Sequence, residues 1–242
     1  MEAKPYLREI SIEECVAPNS LAYPFSIPAI AKLGTLRFHP DLTFFVGENG
    51  TGKSTILEAI AVAMGFGPEG GTKNMLFQTA DTISPLHDSL RTVRSHRRPA
   101  DWFFLRAESF YNMATYVDEV GSPALNAYGG VSLHHRSHGE AFLAVLNEKL
   151  RGNGLYIFDE PEAALSPTRQ MSALASIHRL VKMGSQFIIA THSPILLAYP
   201  RSKIVLFEDN GLREVSYEET EHYAVTKRFL NDYQAMIRQL LQ

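Results

Sequence analysis

The chain has 242 residues, 45% of them apolar and 20% charged, a balance that suits one large folded domain and excludes a disordered or fibrous chain. Its net charge of −3 gives no global attraction to nucleic acid or to an anionic membrane, so any such binding has to be local. The single cysteine, Cys15, excludes an internal disulfide and a thiolate metal cluster and favours a reducing compartment, with the cytoplasm as the default. No apolar run reaches the roughly 20 residues that cross a bilayer, and Glu2, Lys4, Arg8 and Glu9 stand where a signal peptide needs an apolar stretch. A soluble protein is expected.

Short strand-like runs over residues 6–12, 35–38 and 42–46, broken by Pro18, Pro24, Pro28 and Pro40, predict a β-rich opening. Residues 51–64 come after them, with Ile56, Ala59, Ile60 and Ala63 at the spacing of a helix with one buried face, ended by Gly65 and Gly67. Residues 65–100 are rich in Gly, Pro and Arg and read as a surface lobe, with a helix over 86–98 carrying Arg91, Arg94 and Arg98 on one side. A strand (102–107), a helix (109–120), a Gly-rich loop (121–139) and a helix (140–150) come next. The chain then alternates a buried strand (155–158), a helix (167–183), a buried strand (186–190), a short helix (194–198) and a strand (203–207). Such alternation predicts an α/β fold with a mainly parallel sheet and helices on both faces. The organisation expected is a single domain over 1–242, with an insertion and signature lobe at about 65–150 inside it.

Gly47-Glu48-Asn49-Gly50-Thr51-Gly52-Lys53-Ser54 fits G-x-x-x-x-G-K-[ST], after an apolar strand and before an amphipathic helix, with Thr55 next in the chain. Glycines let successive backbone amides turn toward a phosphate, and the helix amino terminus adds its dipole. Lys53 can reach the β and γ phosphates, and the Ser54 hydroxyl can ligate Mg²⁺. The second acid lies in Leu155-Tyr156-Ile157-Phe158-Asp159-Glu160, an apolar strand ending in two carboxylates before Pro161. Asp159 is positioned to hold Mg²⁺ opposite Ser54, and Glu160 to accept a proton from the attacking water.

GENGTGKST, SHGE at 137–140, FDEPEAALSP at 158–167 and ATHSP at 190–194 occur in the order found in ABC-type ATPases. The sequence resembles the small stand-alone AAA-family ATPases related to the RecF and SMC branch and to transporter ATPase subunits. The resemblance implies a P-loop NTPase of ABC-ATPase type that uses ATP and Mg²⁺. It also implies that Ser137 and Gly139 form a signature loop for a γ-phosphate, although Arg136 and His138 depart from the usual L-S-G-G-Q pattern. Ser137 with Glu140 also reads as a capping box that needs no ligand, and both can hold at once. His192 resembles the switch histidine, residues 162–167 resemble the D-loop with Ser166 in an aspartate's place, and Glu108 stands as a water-mediated Mg²⁺ contact with Gln78 as the alternative. Tyr23 and Phe25 are the aromatic candidates for stacking adenine, each expected in buried core instead.

The resemblance further implies an ATP-hydrolysing switch working as an ATP-dependent head-to-tail homodimer, coupled to a protein partner or a DNA-related process. The alternatives are the energising subunit of a transporter or a ring-forming AAA+ ATPase. A GTPase is disfavoured because no N-K-x-D or T-K-x-D string is present, and too few residues separate Ser54 from Ser137 for coiled-coil arms. The basic run Arg91, Arg94, His96, Arg97 and Arg98 is a candidate phosphate contact, weighed against a solvated face.

Overall fold

Strands that are apolar at every position have to be covered on both faces, and residues 42–46, 154–159 and 186–190 are buried throughout. The computed structural model describes residues 4–12, 22–72 and 84–242. Its strands are β1 (Leu7–Ile12), β2 (Thr35–Arg37), β3 (Leu42–Val46), β4 (Leu90–Arg94), β5 (Asp101–Arg106), β6 (Gly154–Asp159), β7 (Gln186–Ala190), β8 (Lys203–Glu208) and β9 (Gly211–Val215). Its α-helices are α1 (Pro28–Ala31), α2 (Lys53–Ala63), α3 (Phe110–Val120), α4 (Ser122–Leu125), α5 (His138–Ala144), α6 (Pro167–Lys182), α7 (Pro194–Leu197), α8 (Glu221–Asn231) and α9 (Tyr233–Leu240).

Six strands form one sheet in the order β5-β6-β7-β3-β8-β9, parallel except where β9 returns antiparallel beside β8. Alternation along the strands sends Phe44, Phe103, Phe158 and Phe187 to one face, against apolar residues of α3, α5 and α6. Phe45, Phe104, Ile157 and Ile188 go to the other, against Ile56, Leu57 and Ile60 of α2 and Leu7 and Ile10 of β1. Each such side chain, fully buried, contributes roughly 1.5–3 kcal/mol. The α/β fold with helices on both faces is as predicted.

The β-rich opening is a separate antiparallel sheet in the order β2-β1-β4. Gln186 ties it to the core sheet. This fully buried side chain accepts from Leu7 N at 3.0 Å and donates to Leu7 O at 2.9 Å, so its amide supplies both partners that a neighbouring strand would.

Residues 86–98 do not form the predicted helix. A 3₁₀ turn over Pro85–Ser89 runs into β4, which pairs with β1 from Ile12↔Leu90 to Leu7↔Arg94. The i, i+3 spacing of Arg91 and Arg94 mimics a helical face, but β-branched Thr92 and Val93 next to an unpaired edge of β1 favour strand pairing. The described residues of 65–150 are divided between the two sheets and the helical cover: β4 joins the antiparallel sheet, β5 is an edge of the core sheet, and α3 to α5 pack on the core. Beyond β8, where no element is predicted, the chain adds β9, α8 and α9.

Candidate nucleotide and metal site

The strand β3 ends at Val46, and Gly47 turns the chain at φ 142°. A Cβ there would lie 2.6 Å from the Phe207 carbonyl, because β8 runs directly beside β3. Gly52 in the left-handed region then caps α2, so Lys53 and Ser54 open that helix. Glu48, Asn49 and Gly50 are exposed at the loop tip, and Thr51 Oγ1 braces it by donating to Glu48 O at 2.9 Å.

Lys53 is buried, and its ammonium donates to Gly47 O at 2.8 Å and Glu48 O at 2.7 Å. Burial lowers its pKa, opposed by the carboxylates of Glu160, Asp159 and Glu162. Ser54 Oγ donates to Asp159 Oδ1 at 3.1 Å, which joins the first turn of α2 to the end of β6. Among the described residues no group of three or more His, Cys, Asp or Glu side chains could hold a metal ion alone. One hydroxyl and one carboxylate suit Mg²⁺, which keeps several waters and completes its octahedron with substrate phosphates. Glu108, the other metal candidate, is mostly exposed and pairs with Arg106 Nη2 at 3.5 Å. Gln78 lies outside the described residues.

Glu160 has φ 50° and ψ 51°, a left-handed conformation that turns the chain sharply off β6. Its Oε1 lies 3.6 Å from His192 Nε2. Glu162 holds the segment that follows β7: its carboxylate accepts the His192 backbone N–H, and burial raises its pKa. Glu162 Oε2 and His192 Nε2 are both buried without a hydrogen-bond partner among the described residues. On its other side His192 Nδ1 meets His222 Nε2 of α8 at 2.9 Å. Neither this contact nor the bracing by Glu162 is predicted from the motifs, since Glu162 sits inside a loop motif and His222 in a stretch with no motif at all.

Ser137 caps α5 in a reciprocal capping box with Glu140. Its hydroxyl donates to Glu140 Oε2 at 2.7 Å and accepts from Arg169 Nη1 at 2.9 Å. The hydrogen bonds from Ser137 hold the Glu140 carboxyl below the usual range. Gly139 is needed for close approach, because a Cβ there would lie 2.9 Å from the Ala164 carbonyl. Ser166 caps α6, accepting from Arg169 N at 3.4 Å, the service an aspartate would perform.

A cleft of about 830 Å³ is lined by Gly47, Glu48, Asn49, Thr51, His192 and His222, together with residues of β8, β9 and the turn after β9. No residue of 136–140 lines it. His138 and Glu160 instead share a separate cleft of about 360 Å³. Phe25 is buried as expected, whereas Tyr23 is 63% exposed, contrary to its expected burial, with its hydroxyl 3.4 Å from Thr55 Oγ1 beside the phosphate loop. Arg94, His96, Arg97 and Arg98 line a further cleft of about 550 Å³ with Tyr6, Met64 and Trp102, and no acidic residue lines it.

Burial raises the Asp159 carboxyl from 3.8 to about 6, partly offset by the Ser54 hydroxyl and Arg106. Above pH 6 the folded protein holds this charge at a cost that the unfolded chain does not bear, and the cost vanishes below about pH 4, where both states are protonated. Asp159→Asn is therefore expected to stabilise the nucleotide-free protein at pH 8 by on the order of 2 kcal/mol, with the gain shrinking as pH falls through 6. Thermal unfolding of both proteins at pH 8 and pH 5 checks this, and an equal difference at the two pH values contradicts it.

A family model for the AAA domain matches residues 27–96. The energy-coupling factor transporter ATP-binding protein EcfA2 of Methanospirillum hungatei is 26% identical over 211 residues, covering 78% of this chain and 51% of that protein. The chain thus spans about half the length of this curated relative. Among solved structures, the SMC head domain from Thermotoga maritima aligns with a TM-score of 0.45 at 14% identity, covering 89% of this chain and 99% of that one. An ATP-binding cassette of an ABC transporter in its ADP conformation aligns at 0.48 and 19% identity, covering 84% and 92%. With the phosphate loop between β3 and α2, Asp159 at the end of β6 and the motifs in ABC order along a mainly parallel sheet, the chain is similar to P-loop NTPases of the ABC-ATPase type.

Proposed function

We propose that the protein binds and hydrolyses ATP with Mg²⁺ and acts in the cytoplasm as a switch that dimerises around the nucleotide. The observation that carries the reading is the convergence of Lys53, Ser54, Asp159, Glu160 and His192 where β3, β6 and β7 end side by side. Lys53 exchanges the Gly47 and Glu48 carbonyls for phosphate oxygens, while amides of Gly47, Glu48, Asn49, Gly50, Thr51 and Gly52 and the helix start at Ser54 and Thr55 cradle the β-phosphate. Ser54, Asp159 and, through water, Glu108 would hold Mg²⁺, which when bound would supply charge neutralisation for the phosphates. Glu160 takes the proton of the attacking water, and His192 donates to the terminal phosphate.

The dimer reading is supported by the composition of the phosphate-loop cleft, which contains no signature residue. Ser137 and Gly139 then serve the nucleotide of a second copy, with Arg169 released from Ser137 as the hydroxyl turns to a phosphate. Among the described residues no helix is long and apolar enough to cross a membrane, and the alternative to such a switch is the energising subunit of a transporter. The name of the Methanospirillum relative favours such an energising subunit. The acid-free arginine cleft between Tyr6 and Trp102 favours a nucleic acid partner instead. ATP turnover with and without double-stranded and single-stranded DNA separates the two.

Lys53→Ala removes the cation facing the phosphates and is expected to weaken ATP binding on the order of 10- to 100-fold. Equilibrium binding of a fluorescent ATP analogue measures it, and unchanged affinity in a folded variant contradicts the site. Glu160→Gln keeps the side chain's shape and removes the proton acceptor, so hydrolysis should fall on the order of 10²-fold or more while ATP still binds. Light scattering after size exclusion should then find a dimer with ATP and Mg²⁺ and a less associated state with ADP. Wild-type turnover by this variant removes Glu160 from the mechanism, and an inactive variant that never dimerises removes the sandwich.

A further inference from the structure

His192 and His222 meet edge to edge, with Nδ1 of the first 2.9 Å from Nε2 of the second and ring planes 55° apart. Only one of those two nitrogens can carry the hydrogen between them. If His192 Nδ1 donated, its Nε2 would be a bare lone pair facing Glu160 Oε1 at 3.6 Å, an acceptor against an acceptor. If His222 Nε2 donates, His192 carries its hydrogen on Nε2 and presents it to the carboxylate. Burial foremost, and then the Lys53 charge, hold both rings below the usual histidine range, the direction that favours neutral rings and so a choice between two tautomers.

We propose that His222 is a positioning residue whose Nε2–H donates to His192 Nδ1 and locks the His192 hydrogen on Nε2, the atom that faces Glu160 and a nucleotide's terminal phosphate. The role in turnover rests on the ATPase reading; the lock itself does not. The pairing is anchored at several points. Thr220 is fully buried, donates to Tyr217 O at 2.7 Å and caps α8 by accepting from Tyr223 N at 3.3 Å. Tyr217 Oη donates to Pro194 O at 2.8 Å, two residues past His192. The segment carrying His222 is therefore bonded both to His192 and to the turn just after it. His192 Nε2, buried without a hydrogen-bond partner among the described residues, is the donor this arrangement leaves poised. The opposite tautomer would offer phosphate oxygen a lone pair, a repulsive contact.

The test reads the tautomer directly. Long-range ¹H–¹⁵N spectra of the histidine side chains of nucleotide-free protein, with His192 assigned by its loss in His192→Gln, should find the wild-type hydrogen on Nε2. His222→Ala should yield a tautomer mixture, and His222→Gln, whose amide can donate, should restore Nε2–H. In ATP turnover, His222→Ala should lower kcat roughly 10-fold or more with KM held within about 2-fold, and His222→Gln should recover most of the loss. Hydrogen on His192 Nδ1 in the wild type overturns the proposal, as does a tautomer that neither substitution moves. A tautomer released by His222→Ala with kcat unchanged overturns the role in the reaction. Because the spectra need no nucleotide, a protein that fails to hydrolyse ATP still reports the lock, and the two readings fail separately. If His222→Ala does not fold, the wild-type and His222→Gln spectra decide it.

Discussion

The pairing of β6, β7 and β3 sets the level at which every candidate group leaves the sheet. In register, Asp159 lies beside Ala190 and Ala190 beside Phe45, so three parallel strands end within a residue of one another. Two further hydrogen bonds carry the ladder past the strands: Glu160 N donates to Ala190 O at 3.0 Å, and Thr191 N donates to Phe45 O at 3.2 Å. Full burial on both faces forbids these strands to slip, because a one-residue shift would exchange the two apolar faces. The phosphate loop, the paired carboxylates and His192 are therefore fixed relative to one another by hydrophobic packing, before any ligand contributes.

Within that frame, the polar groups of the site are held by partners that a nucleotide could replace. The Lys53 ammonium lies on two loop carbonyls, and Ser54 on Asp159. Exposed Ser137 lies on Glu140 and Arg169. Surface hydrogen bonds and ion pairs of the last kind stabilise a fold by little, so exchanging them for a phosphate costs little. The buried Asp159 carboxylate is the opposite case, a charge retained at a cost in stability, and functional carboxylates are characteristically of this kind.

Much of this was legible in the sequence. Apolar runs at 42–46 and 186–190 mark central strands because burial on both faces leaves no alternation to obscure them. The phosphate loop and Asp159 could be read because their chemistry demands fixed residues at fixed spacing next to a strand. The helix expected over 86–98 failed because its arginine spacing imitates a helical face, while the deciding fact is the edge of β1, some eighty residues earlier in the chain. Tyr23 is exposed because its surroundings in the fold, not its own character, decide whether the ring packs. Gln186 shows the limit from another side: a polar residue starting an apolar strand carries no motif, yet it joins two sheets. His222 could not be found from spacing at all, since only the fold brings α8 to His192.

The central claim is that one chain supplies the phosphate loop, Asp159 and Glu160 of a site while a second copy supplies Ser137 and Gly139. ATP turnover per chain, measured across a wide range of protein concentration alongside the association state by light scattering, tests it most directly. A shared site predicts a per-chain rate that rises with concentration while monomers predominate and levels off when dimers do. A constant per-chain rate down to concentrations where only monomer is present would contradict it.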